Sequence, residues 1–217
     1  MRPQRAQQLM GVHGRQLIEE LNGTCCLPLQ AFGKIRQSIM HGRTFGEDTN
    51  QLAVVEAAIA SLTARAAAGL RAERLLAHTA VVHLSNNRHK PGYQRLIRTL
   101  NFRTPTADSG QITAALMAAI EPAFNPRLSY HRVNVLLHDL VSQQTLQPDL
   151  FGDIDLAGNS AAQARLRAVD ALNTHYGRGT VHYAAEDLSQ AWQPRHNLRS
   201  PRYTTNWHEL PTAHLKS

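Results

Sequence analysis

The sequence is poor in cysteine and contains no long hydrophobic run. Its only two cysteines, Cys25 and Cys26, are adjacent, which provides neither a disulfide framework nor the CxxC spacing of a metal-ligand pair. We interpret them as packing residues rather than as chemical groups. No stretch approaches the roughly 18 consecutive apolar residues that a membrane span needs, and the start, Met-Arg-Pro-Gln-Arg, lacks the apolar segment of a signal peptide. We therefore expect a cytoplasmic protein with no membrane partner.

Lysine is also scarce, because 20 of the 23 basic residues are arginines. The formal net charge is +7. The surplus is concentrated in residues 28–132, which hold thirteen Lys and Arg against six Asp and Glu, whereas residues 133–160 hold four Asp and no Lys or Arg. Guanidinium groups suit phosphate oxygens better than ammonium groups do. The charge therefore indicates a polyanionic partner, with solvated helix faces as the alternative interpretation.

The sequence lacks the motifs of the common enzyme classes. It has no GxSxG, no HExxH and no phosphate-binding glycine-rich loop before a helix. Its twelve histidines show no recognised ligand spacing, so we predict no metal site. Asp153 and Asp155 have the DxD spacing by which two carboxylates share Mg²⁺. They lie in a polar segment without a flanking apolar strand, which favours an acidic linker instead.

Hydrophobic periodicity predicts the fold of the first two thirds of the chain. A helix ends at Leu21, before Gly23. A strand over 34–45 is followed by a helix over 52–70 that is entered through Thr49 or Asn50, and then by strands over 76–85 and 93–102. A helix capped within 105–109 and a strand around residue 135 complete the pattern. The sequence thus predicts an α+β fold of βαββαβ order, in which a four-stranded antiparallel sheet carries both helices on one face and leaves the other open for a ligand.

The remaining residues predict a linker and a small C-terminal module of α+β type. Residues 142–160 are polar and acidic, and a single apolar pair, Leu150 and Phe151, interrupts them. Apolar spacing then predicts a third helix that ends at Gly177, and residues 180–184 look extended. The last thirty residues hold both tryptophans, Trp192 and Trp207. Since so short a module has little core of its own, we expect it to pack on another part or to order on binding.

The C-terminal residues show a more specific pattern. The stretches Asn173-Thr-His-Tyr-Gly-Arg-Gly-Thr-Val-His-Tyr-Ala-Ala-Glu186 and Ser200-Pro-Arg-Tyr-Thr-Thr-Asn-Trp-His-Glu-Leu-Pro211 resemble the C-terminal module of UmuC-type Y-family DNA polymerases, which are bacterial translesion enzymes of the SOS response. Residues 20–29, Glu-Leu-Asn-Gly-Thr-Cys-Cys-Leu-Pro-Leu, are similar to the family's junction between thumb and little finger. Arg43-Thr-Phe-Gly46 resembles the end of its first little-finger strand, and residues 105–109 and 134–140 resemble family stretches as well. The resemblance covers nearly the whole chain.

The resemblance implies a little finger that lies along duplex DNA. The family's little finger has the same βαββαβ sheet that the periodicity predicts. Carried over residue by residue, the implied phosphate contacts are Arg36, Ser38, Arg43, Arg95, Arg98 and Arg132. Contacts of this kind position a protein on DNA without reading its sequence, and plain surface charge remains the alternative for each arginine.

The resemblance also implies binding to the β sliding clamp. Residues Gln147, Pro148, Asp149, Leu150 and Phe151 resemble the clamp-binding peptide of such polymerases, in which a glutamine anchors and a Leu-Phe pair fills an apolar pocket. Pro148 departs from the Leu or Gly that the family commonly has. Two further departures are Gly42, within the family's serine-containing run, and Asn134, where glycine is usual.

The resemblance does not include the palm and fingers, which hold the metal-binding acidic residues of this family. We therefore expect no catalytic residue, no metal and no cofactor in this chain, with Mg²⁺ belonging to the full-length family. The implied divisions are a thumb-helix remnant (1–27), a little finger (28–141), a linker with the clamp peptide (142–160) and a C-terminal module (161–217). The favoured function is noncatalytic binding of primer-template DNA and the clamp. The alternatives are a subunit of a split active polymerase and an interaction module that binds a partner such as processed UmuD or RecA and competes with the intact polymerase.

Overall fold

The structure is a computed structural model, and it describes residues 2–27, 36–145, 156–186, 192–193 and 200–212. The chain divides into two compact units, one up to Ile35 and one from Arg36 onwards.

In the first unit, the described residues 2–27 form one helix, α1 (Pro3–Leu21), with a kink at Gly11, whose φ is 71°. The predicted helix end is confirmed, because Gly23 takes a φ of 85° and its N–H donates to Glu20 O at 2.9 Å. Apolar side chains of this helix are exposed, namely Leu9, Met10, Val12, Leu17 and Leu21. Cys25 is exposed as well, so its interpretation as a packing residue is wrong.

The second unit is built on a four-stranded antiparallel sheet. Its strands are β1 (Ser38–Thr49), β2 (Leu75–Ser85), β3 (Arg95–Thr106) and β4 (Tyr130–Ser142), in the spatial order β1-β4-β2-β3. Two helices, α2 (Leu52–Ala72) and α3 (Ser109–Ile120), pack on one face of it. The predicted α+β class and βαββαβ order are confirmed.

The apolar spacing of each element explains which side faces the core. The predicted stripe of α2 is buried from Val55 to Leu70, and Val133, Val135 and Leu137 of β4 are fully buried beneath the helices. The long apolar helix α2 is therefore the core helix of this layer. It is the only helix among the described residues that is long and apolar enough to cross a membrane.

The two helices begin in different ways. Asp108 caps α3 as predicted, since its side chain accepts from the N–H groups of Gly110 and Gln111. The prediction that α2 is entered through Thr49 or Asn50 is wrong, because Gln51 occupies the N-cap position and no side chain caps the helix. Thr49 Oγ1 instead accepts from Gln51 N at 3.2 Å, which turns the chain out of β1.

The C-terminal region packs on the helical layer. Helix α4 (Leu156–Tyr176) begins inside the predicted linker and ends, as predicted, at Gly177, whose φ is 108°. The expectation of an extended stretch over 180–184 is wrong, because Thr180 lies in a turn and a 3₁₀ helix begins at Ala184. Trp192 is 2% exposed within the core of the sheet domain, and its carbonyl accepts from Gly46 N at 3.3 Å. The C-terminal module thus gains its core from the preceding domain.

Candidate nucleic-acid interface

The face of the sheet opposite the helices presents polar side chains from all four strands. In an antiparallel ladder, residues that stand directly opposite each other share a face. Along each strand, every second side chain faces the core, and the side chains between them form the opposite face of the sheet, here called the open face. We use this name for Ser38, Met40, Gly42 and Thr44 of β1; Thr79, Val81, His83 and Ser85 of β2; Arg95, Ile97, Thr99 and Asn101 of β3; and Arg132, Asn134, Leu136 and His138 of β4. None of these positions carries a carboxylate.

A hydrogen-bonded chain lies across the middle of the open face. Asn134 Oδ1 accepts from Arg132 Nε at 3.1 Å, and Asn134 Nδ2 lies 3.1 Å from His83 Nδ1. The amide group of Asn134 therefore orients the Arg132 side chain while that side chain remains exposed. A guanidinium held through Nε keeps its terminal nitrogens available for an oxyanion.

Positive charge surrounds this chain. The pKa of His83 lies below its usual range because the ring is partly buried, and the charges of Arg95 and Arg132 lower it further. A neutral His83 accepts the hydrogen bond from Asn134, and the two arginines supply the positive charge of this part of the face. The arrangement suits an anionic ligand that spans β3 and β4.

The six residues predicted to contact phosphate do not lie together. Ser38, Arg95 and Arg132 lie on the open face. Arg43 stands opposite Val133 and Arg98 opposite Val82. Both valines are fully buried under the helices, so Arg43 and Arg98 stand on the helix side of the sheet.

Arg36 lies just outside β1 and forms an ion pair with Glu73 at 3.2 Å. Arg98 is three residues from Arg95, and Arg43 is five residues from Ser38. Because side chains alternate along a strand, these odd spacings already indicate that the two members of each pair stand on opposite faces.

The open face ends in an acidic group that the sequence analysis missed. Thr79 Oγ1 donates to Asp139 Oδ2 at 2.7 Å, and His138 Nδ1 lies 3.1 Å from the same oxygen. Hydrogen bonds from Thr79 and then His138 lower the pKa of the Asp139 carboxyl. Asp139 has a φ of 54°, an uncommon conformation for a residue other than glycine. The Asp139 carboxylate lies beyond His138, at the end of the open face that is far from Arg132.

A second network fastens the opposite end of the sheet. Asp48 Oδ1 lies 2.6 Å from His131 Nδ1, and Lys90 Nζ donates to Asp48 Oδ2 at 2.9 Å. Burial alone would raise the pKa of Asp48, but the hydrogen bonds from Lys90 and His131 outweigh it and the pKa is lowered. This network ties the hairpin turn between β2 and β3 to β1 and β4.

The predicted clamp-binding site lies outside the residues that the structure describes. Gln147, Asp149, Leu150 and Phe151 of the predicted clamp peptide lie outside the residues that the structure describes, and so do Asp153 and Asp155. Within the described part of the chain, no three His, Cys, Asp or Glu side chains cluster closely enough to hold a metal ion. The described residues therefore do not fit the Mg²⁺ of the full-length family, and no chemistry is assigned to a metal here.

Two known protein domains match the sequence of the second unit. The C-terminal domain of the impB/mucB/samB family matches residues 36–150, and a domain of unknown function, DUF4113, matches residues 165–213. The protein UmuC of Salmonella typhimurium strain LT2 is 31% identical over 195 residues, which are 89% of this chain and 46% of that protein. The protein ImpB of Salmonella typhimurium is 30% identical over 91% of this chain and 46% of its own length, and MucB of Escherichia coli is 28% identical over 95% and 48%.

The chain therefore belongs to the impB/mucB/samB family, whose C-terminal domain matches more than half of it. It is the C-terminal part of a UmuC-type protein, as the resemblance in the sequence predicted. The chain spans about half the length of the curated relatives that it matches.

Proposed function

We propose that the chain is the DNA-binding and clamp-binding C-terminal portion of a translesion DNA polymerase, acts in the cytoplasm and does not polymerise DNA alone. The observation that supports DNA binding is the open face, where Arg95 and Arg132 flank a hydrogen-bonded centre and no carboxylate lies among the aligned positions. Such a face favours the sugar-phosphate backbone of a primer-template duplex, and contacts to that backbone carry no sequence information. The proposal follows the predicted divisions at residues 27, 141 and 160.

The test compares arginines on the two faces of the sheet. Arg95→Ala and Arg132→Ala should each weaken binding of a primer-template duplex by roughly five- to tenfold near 0.1 M salt, and each should reduce the salt slope by about one. Arg98→Ala is the matched control, because Arg98 is also exposed on β3 but stands on the helix side. Fluorescence anisotropy across a series of salt concentrations measures all three. Equal affinity of wild type and the Arg95→Ala/Arg132→Ala double variant would refute DNA binding by this face.

Clamp binding rests on the resemblance of residues 147–151 to the family's clamp peptide. Leu150 and Phe151 are an apolar pair within a polar sequence, and apolar pairs of this kind are typical anchors in the pocket of a protein partner. Replacing Leu150 and Phe151 by alanine should abolish association with the β sliding clamp and leave DNA affinity unchanged. Surface-immobilised clamp provides the measurement, and undiminished clamp binding by the double variant would sink the assignment.

The exposed apolar side chains of α1 favour a second candidate function. Leu9 and Leu21 are among five large apolar residues of this helix that remain exposed, and such a surface usually contacts another protein part. In this candidate, α1 packs on a separately supplied palm and fingers to form a working polymerase that uses Mg²⁺. Mixing the chain with that part should give primer extension, and Leu9→Ser with Leu21→Ser should abolish it. Extension unaffected by these substitutions would exclude α1 as the contact.

The segment around Trp207 favours the interaction role. Trp207 is 86% exposed, while Arg202 and Asn206 fix the same segment by hydrogen bonds to Glu209 Oε1 at 2.9 and 3.0 Å. A rigidly presented tryptophan is a typical anchor of protein interfaces. Processed UmuD and RecA are the partners proposed for it. Trp207→Ala should lower the capture of one of them at least tenfold, and unchanged capture of both would reject this candidate.

A further inference from the structure

Arginines from β1 and α2 lie close together on the helix side of the sheet. A Cβ added to Gly69 would contact Ile39 Cδ1 at 3.4 Å, so α2 crosses β1 closely at this point. Arg65 lies one helical turn before Gly69, and His41 lies two residues after Ile39 on the same side of β1. One turn of a helix and two residues of a strand both advance about 6 Å. Since α2 runs back along β1, Arg65 comes to lie next to His41, with Arg43 following along the strand.

The C-terminal module brings a further arginine to this place. Arg178 lies in the turn after α4, and Asn173 closes that turn by bonding to both the N–H and the carbonyl of Val181 at 2.8 Å. Helix α4 is fastened to α2 by the ion pair between Arg71 and Asp170. The position of Arg178 is therefore fixed relative to α2.

The lowered pKa of His41 is consistent with arginines from three elements lying near its ring. The pKa of His41 lies below its usual range because the ring is partly buried, and the charges of Arg65, Arg178, Arg36 and Arg43 lower it further. Among the described residues, none forms an ion pair with Arg43, Arg65 or Arg178. Arg36 differs, because Glu73 neutralises it. Three unneutralised guanidinium groups from a strand, a helix and a turn thus surround one neutral ring.

We propose that Arg43, Arg65 and Arg178, here called the edge cluster, form a second phosphate-binding site for the backbone of DNA. The inference rests on the proposed function and extends it. Strand β1 is an edge strand of the sheet, and its residues alternate between the open face and the helix side, where Arg43 belongs to the edge cluster. A sugar-phosphate backbone that leaves the open face across β1 therefore meets the edge cluster next. The site gives the C-terminal module, through Arg178, a direct part in holding DNA.

The experiment measures DNA affinity of the full chain with single charges removed. Arg65→Ala and Arg178→Ala should each weaken binding of a primer-template duplex by roughly five- to tenfold near 0.1 M salt and reduce the salt slope by about one. Arg167→Ala is the control, because Arg167 is an exposed arginine of α4 whose Nε bonds only to the Gln163 carbonyl of its own helix. This control variant should bind within twofold of wild type. Arg65→Lys and Arg178→Lys should restore most of the salt slope, which separates loss of charge from misfolding.

The outcomes separate the edge cluster from the open face. The proposal is supported if the Arg65 and Arg178 variants lose affinity and the Arg167 variant does not. It is overturned if Arg95→Ala and Arg132→Ala weaken binding while Arg65→Ala and Arg178→Ala do not, an outcome that leaves the proposed function intact. An equal loss in the Arg167 variant also overturns it, because net charge alone would then explain the effect. If neither the open-face nor the edge variants lose affinity, both proposals fail.

Discussion

Gly42 of β1 and Asn134 of β4 stand directly opposite each other on the open face, and a Cβ added to Gly42 would overlap Asn134 Oδ1. The resemblance implies a serine-containing run around position 42 and a glycine at position 134, and this sequence departs from both. The Asn134 side chain occupies space that a side chain at position 42 would need. The Asn134 amide group also orients Arg132.

This pairing predicts that serine at position 42 is tolerated only when Asn134 is shortened. Gly42→Ser should lower the free energy of unfolding by about 1–3 kcal/mol, because Asn134 must give up its bonds to Arg132 and His83 or clash with the new side chain. Adding Asn134→Gly should recover most of that loss. Urea denaturation of the two single variants and the double variant gives the coupling. Additive effects would show that the two positions do not share space.

The two tryptophans predict opposite responses to the same substitution. Trp192 is 2% exposed and Trp207 is 86% exposed. Trp192→Ala should lower the free energy of unfolding by about 3–5 kcal/mol, since a large buried ring leaves a cavity in the sheet domain. Trp207→Ala should change it by less than about 0.5 kcal/mol. Urea unfolding curves measure both, and a Trp192 variant as stable as the Trp207 variant would contradict the packing of the C-terminal module.

The sequence predicted what depends on local periodicity. The stripe of α2, a helix cap within residues 105–109 and the alternation of β4 are set by neighbouring residues, and all three were found as expected, with Asp108 as the cap. Charge alone does not separate Arg43 and Arg98 from the arginines of the open face, but their odd spacing from Ser38 and Arg95 does, because side chains alternate along a strand. The strand pairing then identifies their face as the helix side. The hydrogen bond from Gly46 N to the Trp192 carbonyl joins residues nearly 150 positions apart in the sequence, and no local sequence pattern indicates such a contact.

The ion pair between Arg71 and Asp170 joins the domain matched over residues 36–150 to the domain matched over residues 165–213. We expect this pair to contribute measurably to the free energy of unfolding. Arg71 Nε and Nη2 donate to the two carboxylate oxygens of Asp170 at 2.6 and 2.7 Å, and Arg71 Nη1 also donates to Ala107 O and Ser109 Oγ. The Arg71 side chain is only 15% exposed, so solvent screens this pair less than a surface pair. Asp170→Asn should lower the free energy of unfolding by about 1–3 kcal/mol.

A double-mutant cycle with Arg71→Met isolates the contribution of the pair. The coupling should reach about 1 kcal/mol or more. Arg165→Ala is a control on the same helix, because its contact with Asp108 is 3.8 Å long and its side chain is 69% exposed, and it should change stability by less than about 0.5 kcal/mol. Zero coupling between Arg71 and Asp170 would mean that α4 is not held on α2 by this pair.

The lowered pKa of His83 predicts that the protein loses stability on mild acidification. Below the ordinary histidine pKa of about 6.5, the unfolded chain takes up a proton at this residue that the folded chain resists, because burial and the charges of Arg95 and Arg132 oppose it. Stability is therefore unaffected by this group above about pH 6.5, falls as the pH drops below that value and levels off below the folded pKa. His41 contributes with the same sign, whereas Asp48, whose pKa is also lowered, acts only in the acidic range of carboxyl groups, near or below pH 4.

The variant His83→Gln tests this prediction. Its side chain keeps an acceptor for Asn134 Nδ2 but does not titrate, so its melting temperature should fall less than that of wild type between pH 7.5 and 5.5. Identical falls in both proteins, measured by thermal unfolding at fixed ionic strength, would show that His83 is not held neutral by its surroundings.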